Sequence, residues 1–112
     1  MDYDLAEDPQ TPPEILAELA DSTSFWIRRW VARNPNTPVS ALYKLAGDQD
    51  IYVRSGVPQN PNIPISLIEK LADDESLMVR RSIVKNPRTP ERIKNYLIAK
   101  YYVRCLPLRF SF

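Results

Sequence analysis

Three arginines, Arg28, Arg54 and Arg80, recur at one spacing along the chain. A guanidinium is a planar fork of N–H donors that grips a carboxylate or a phosphate through two parallel bonds. Repeated at a fixed interval, such forks serve one of two ends. They tie neighbouring segments together through acidic side chains, for which Asp21, Asp48, Asp73 and Asp74 are the candidates, or they form a row that holds phosphates. We read them as a structural ladder, with the phosphate row as the alternative.

A second constellation mixes aromatic and basic groups. Trp26, Arg29, Trp30 and Arg33 fall at i, i+3, i+4 and i+7, which places them on one side of a helix. One spacing further on, the same places hold Tyr52, Ser55, Gly56 and Gln59, and then Met78, Arg81, Ser82 and Lys85. Tryptophan, tyrosine and arginine are enriched at binding hot spots. Trp26, Arg29, Trp30, Arg33, Tyr52, Arg81 and Lys85 are therefore the candidate binding residues. The alternative is that Trp30 packs against the N-terminal segment while the arginines are merely solvated.

Catalytic chemistry is poorly provided for. The chain has no histidine and one cysteine, Cys105. That excludes an internal disulfide and any Cys/His zinc or iron–sulfur site held by this chain alone, and it removes histidine as a general base. Cys105 reads as a small apolar residue rather than a nucleophile. We expect no catalytic residues, no metal and no cofactor.

These residues are positioned by a repeat. Asp8-Pro9-Gln10-Thr11-Pro12, Asn34-Pro35-Asn36-Thr37-Pro38, Asn60-Pro61-Asn62-Ile63-Pro64 and Asn86-Pro87-Arg88-Thr89-Pro90 are variants of one motif, and their first prolines step by 26 residues. A fixed period of this size signals stacked structural repeats. Proline ends the helix before it. Thr37 is expected to cap the next helix with its hydroxyl, and Pro38 to occupy the first helical position. Thr11 to Glu14 has the spacing of a capping box, while Ile63 leaves the third copy with a weaker start.

Each motif opens a helix A, the first over roughly residues 12–20, with its apolar stripe at Ile15, Leu16, Leu19 and Ala20. The equivalent stripes are Ala41, Leu42, Leu45 and Ala46, then Leu67, Ile68, Leu71 and Ala72. In the fourth, Lys94 interrupts Ile93, Leu97 and Ile98, as suits a terminal repeat with one face in water. Ser24, Asp50 and Ser76 are good N-caps in register, and they open a shorter helix B over roughly 25–33, 51–57 and 77–85. Phe25, Ile27 and Val31 are expected to face inward, as are Ile51, Val53 and Val57, then Leu77, Val79 and Ile83. Gly56 and Pro58 shorten the middle copy, and a helix so short is α or partly 3₁₀.

No single repeat buries its stripe alone, so the copies must stack into one continuous core. The expected architecture is an all-α solenoid in one repeat domain spanning 1–112. Residues 1–8 would cap its N-terminal end, 9–98 would hold the repeats, and 99–112 would cap the other end. The apolar stretch from Leu106 to Phe112 has no repeat counterpart, and its alternative role is to pair with a second molecule as a homo-oligomer.

Net charge is only +1, but residues 1–24 carry seven acidic groups and no basic one, while the chain beyond Ser76 is strongly basic. The asymmetry would steer a partner, or one copy onto another. No apolar run approaches the roughly 20 residues that span a bilayer, so no membrane is expected. The acidic start is unlike a signal or transit peptide, which leaves the cytoplasm as the default.

The pattern Asn-Pro-x-Thr-Pro, Leu-x-x-Leu-Ala, Asp, Val-Arg-x-x-Val resembles the leucine-rich repeat variant family. Thr37-Pro38, Leu42, Leu45-Ala46, Asp50, Val53-Arg54 and Val57 carry the match in the second copy. The first, from Pro12 to Asn34, is the most complete, and the resemblance covers about residues 8–98. It implies a right-handed superhelix of alternating α and short α or 3₁₀ helices, similar to HEAT repeats, and a binding role without catalytic residues. The cysteine-rich iron–sulfur segment of some members has no counterpart here. The reading of function is a non-enzymatic scaffold for an unidentified protein partner. The alternative is a HEAT-like module for nucleic acid, which the small net charge weakens.

Overall fold

Proline sets the start of every second helix. In the computed structural model, which describes residues 2–102, Pro12, Pro38, Pro64 and Pro90 all hold extended backbone, with ψ near 147° in Pro12. Their carbonyls accept the first helical bonds, from Leu16, Leu42, Ile68 and Lys94 at 3.1–3.2 Å. The proline is thus the N-cap itself, and its fixed φ suits that post as well as the first helical position. This corrects three expectations. Pro38 is the cap and not the first helical residue. The threonine before it does not cap the following helix, and Thr11 to Glu14 does not form a capping box.

The threonine hydroxyls point backward instead. Those of Thr11, Thr37 and Thr89 donate to the carbonyls of Leu5, Val31 and Ile83 at 2.5–2.6 Å, each six residues upstream in the preceding helix. They satisfy carbonyls that the end of a helix leaves unpaired. Ile63 holds the equivalent place and is fully buried in the core. It is a packing residue, not a weakened cap.

Eight α-helices result, with no strand among the described residues: α1 (Asp2–Glu7), α2 (Pro13–Leu19), α3 (Phe25–Arg33), α4 (Val39–Ala46), α5 (Ile51–Gly56), α6 (Ile65–Leu71), α7 (Leu77–Lys85) and α8 (Glu91–Leu97). A 3₁₀ turn, Val57–Gln59, extends α5, where Pro58 brings no N–H to a longer helix. A π turn follows α8 at Ile98–Tyr102. The caps of the shorter helices differ. The Asp50 carboxylate accepts from the N–H groups of Tyr52 and Val53, Ser24 accepts from Ile27 at a long 3.5 Å, and Ser76 makes no such bond.

The helices form two rows. Helices α1, α3, α5 and α7 pack directly on one another, whereas α2, α4, α6 and α8 touch mainly the helices beside them in sequence. Between the rows lies one core, with Leu16, Val31, Leu42, Val53, Ile68, Val79 and Leu97 at its centre. The molecule measures 55 × 22 × 18 Å. Its radius of gyration, 15.2 Å, exceeds the roughly 13 Å of a compact chain of this length. The all-helical, elongated arrangement is compatible with an α-solenoid.

Two residues expected to face inward do not. Ile51 is 40% exposed and Leu77 44% exposed. A helix turns about 100° per residue, so a residue two places before Val53 or Val79 lies on the far side of the helix. Residues 103–112, on which the C-terminal cap and the oligomer expectation fall, lie outside the described residues.

Candidate functional site

The three arginines reach the loops that lead into α3, α5 and α7. Arg28 Nε meets Asp48 Oδ2 at 2.8 Å and Arg28 NH2 meets Asp48 Oδ1 at 3.3 Å, while NH1 donates to the Ser22 carbonyl. Arg54 repeats this geometry on Asp74, at 3.0 and 3.4 Å, with NH1 on the carbonyls of Asp48 and Gln49. Each carboxylate also accepts from a backbone N–H two residues on, in Asp50 and Ser76. Arg80 keeps the carbonyl bond, to Asp74. Twenty residues after Arg80, however, stands Lys100, and the guanidinium lies over the Tyr101 ring at 4.0 Å instead. Among the described residues its buried Nε has no partner.

The other two aspartates named as ladder partners bond elsewhere. Asp21 pairs with Lys44. Asp73 accepts from the hydroxyls of Tyr96 and Tyr101 and from Lys100, at 2.6–3.1 Å. The Tyr96 bond, then that from Lys100, holds the Asp73 carboxyl below its ordinary range, and Lys100 is raised above its own.

The candidate binding residues fall into two groups along α3, α5 and α7. In the first, Trp26 (49% exposed) and Tyr52 (43% exposed) lie 6.4 Å apart, with Phe25 against both. Beside them the remaining α3 residues are partly engaged. Trp30 Nε1 donates to the Tyr3 hydroxyl of α1 at 2.7 Å, and Arg33 lies over the Trp30 ring at 4.7 Å. Arg29 NH1 donates to the Tyr52 carbonyl and to Ser55 Oγ, and burial followed by the repulsion of Arg33 lowers its pKa. Gly56, in the place of Trp30, lets α5 approach α3, since a Cβ there would come within 3.2 Å of Ala32 Cβ and of the Arg29 carbonyl.

The second group surrounds a groove of about 890 Å³ between the end of α5 and α7. Pro58, Pro61, Leu77, Met78 and Pro87 supply apolar walls, and Arg81, Lys85 and Arg88 supply charge. Sequence reasoning found Arg81 and Lys85 but not the hollow, because Leu77 was assigned to the core.

A further set of internal contacts was missed altogether. The Asn34 side-chain amide donates to the carbonyls of Ala6 and Asp8, that of Asn60 to those of Ala32 and Asn34, and that of Asn86 to that of Pro58. Their oxygens accept the N–H of Asn36, Asn62 and Arg88. The signal lay in the repetition of Asn before Pro, where ending a helix needs only the proline. No group of three or more His, Cys, Asp or Glu side chains able to hold a metal ion occurs among the described residues, and no helix among them is long and apolar enough to cross a membrane.

Two rows of short helices, tied by side-chain bonds that recur along the chain, make a helical, repeat-like molecule. The leucine rich repeat variant family model, the family resembled in sequence, matches residues 25–50, from the start of α3 to the N-cap of α5. No curated protein and no solved structure matches the chain.

Proposed function

We propose that the chain is a non-enzymatic, right-handed α-solenoid of 26-residue units, and that the face formed by α3, α5 and α7 binds a partner protein. One observation carries this reading. Equivalent places on the three helices leave Trp26, Tyr52 and Met78 exposed, and large exposed apolar side chains of this kind mark interaction surfaces. The guanidinium forks of Arg28 and Arg54 are by contrast consumed in internal bonds, which supports a scaffold with a separate outer contact surface.

The competing reading, a nucleic-acid module, draws on Arg81, Lys85 and Arg88. Three cations make a short basic patch, and the donors of Arg28 and Arg54 are already taken. A photo-crosslinking amino acid placed at Tyr52, and at Glu69 as a control, separates the two in extract of the native cell. A discrete protein adduct from position 52 alone is the expected result. Adducts sensitive to nuclease, or equal labelling from both positions, would count against the scaffold.

A further inference from the structure

The groove between α5 and α7 is apolar inside and charged with one sign outside. Leu77, Met78 and Pro58 form its walls, with Arg81, Lys85 and Arg88 beside them, and no acidic side chain among the described residues lines it. None of these three cations is in an ion pair among the described residues, although Arg28, Lys44, Arg54, Arg92 and Lys100 all find carboxylates. The hollow exists because of what α7 lacks. Ser82 stands where α3 has Trp30, so no indole fills the space.

We propose that this groove docks an acidic peptide segment of the partner, which inserts a leucine- or methionine-sized side chain and sets its carboxylates against Arg81, Lys85 and Arg88. The proposal rests on the partner-binding reading and names the chemistry of the segment recognised. Its size, about 890 Å³, suits a few side chains of a peptide. Unmatched positive charge beside apolar walls selects a ligand that is both acidic and apolar. Single-stranded nucleic acid fits less well, since no aromatic ring among the described residues lines the groove for a base to stack on. The chain's own residues 103–112 carry Arg104 and Arg109 with no acidic side chain, so in charge they match the groove rather than complement it.

A random dodecapeptide phage library panned on the full chain tests this, followed by titration of the enriched peptides in synthetic, labelled form. Enriched sequences should combine Asp or Glu with Leu, Met or Phe. Their affinity should fall on the order of tenfold or more in Arg81→Glu with Lys85→Glu, and should weaken with added salt. Ser82→Trp, which fills the hollow without changing charge, should have the same effect, and Glu14→Gln on the exposed side of α2 should have little; Trp26→Ala with Tyr52→Ala is titrated alongside as the rival site. Circular dichroism verifies that each variant is folded. Peptides without acidic excess, or peptides that survive the charge reversal and are lost with Trp26 and Tyr52, would overturn the groove and leave the scaffold standing. Displacement of the probe by a synthetic peptide of residues 103–112 would likewise overturn it. A library that yields no binder, together with labelled DNA that binds through Arg81 and Lys85, would overturn both.

Discussion

The side-chain amide of Asn60 donates to the main-chain carbonyl of Asn34, at 2.8 Å, across 26 residues of sequence. Its second hydrogen goes to the Ala32 carbonyl at 2.9 Å, and its oxygen takes the Asn62 N–H. All three bonds are made by a residue without exposed surface. Asn60→Ala would strand buried carbonyls, at about 1–3 kcal/mol each. We expect a total loss of about 2–4 kcal/mol in urea denaturation. Asn62→Ala, whose amide reaches only the Pro35 carbonyl from an exposed position, should cost well under that. Equal costs would mean that the buried amide contributes nothing beyond its turn.

Thr37 and Ile63 occupy one place in successive units but act differently. Thr37→Val should cost about 1 kcal/mol, because the Val31 carbonyl loses a bond and the shape is kept. Ile63→Ala should cost about 2–4 kcal/mol, as expected for a truncated core side chain. Chemical denaturation midpoints at constant m-value give both numbers. An Ile63→Ala variant as stable as the parent would remove Ile63 from the core.

Arg54 and Arg29 both reach into the next unit, but with different stakes. Arg54→Ala leaves Asp74 largely buried and without its cation, and losses of up to about 3–5 kcal/mol follow when such a pair is broken from one side. We expect about 2–4 kcal/mol here, because both side chains keep some exposure. Arg29→Ala gives up bonds to the Tyr52 carbonyl and Ser55 Oγ at a more open site and should cost about 1 kcal/mol. Thermal melts that rank Arg29→Ala as the more damaging would reverse this ordering.

Asp73 provides a pH handle. Its carboxyl is held below the ordinary range first by the Tyr96 hydroxyl and then by Lys100. A carboxyl lowered on folding stabilises the fold above its unfolded pKa, and that contribution disappears as pH falls through the folded value. Tyr96→Phe should move the Asp73 midpoint upward, toward the ordinary carboxylate value, in a ¹³C NMR titration. A midpoint that stays in place would assign the shift to something other than this hydrogen bond.

Much of the architecture was legible because it is written several times. The steps from Pro9 to Pro87 fixed where helices stop, and α3 and α7 span the residues expected of helix B. What stayed hidden was the direction in which side chains reach. Thr37 has the composition of a cap for the helix after it, but the proline that follows takes the cap position and leaves the hydroxyl free to turn back to Val31. Ile51 and Leu77 look like core from composition alone, and only their angular distance from Val53 and Val79 shows otherwise. For the candidate face, sequence placed Trp26, Arg29 and Trp30 together and offered the N-terminal segment as the alternative place for Trp30, where it does bond Tyr3 of α1, but not the bonds that commit Arg29 to α5. Such commitments depend on how closely helices approach, which for α3 and α5 depends on the missing side chain of Gly56.

The side-chain bonds that cross between units span 20 to 28 residues, from the Arg28–Asp48 pair to the Asn60 amide on Ala32. None of these ties fastens the first helix to the last. Ordering can then begin in any neighbouring pair of units and spread outward, since no distant ends must meet before contacts reward them. The same feature makes the molecule a poor rope. Pulled along its 55 Å axis, it has no fastener that shares the load over its whole length, and it should give way one unit at a time, as a sawtooth in force rather than a single break.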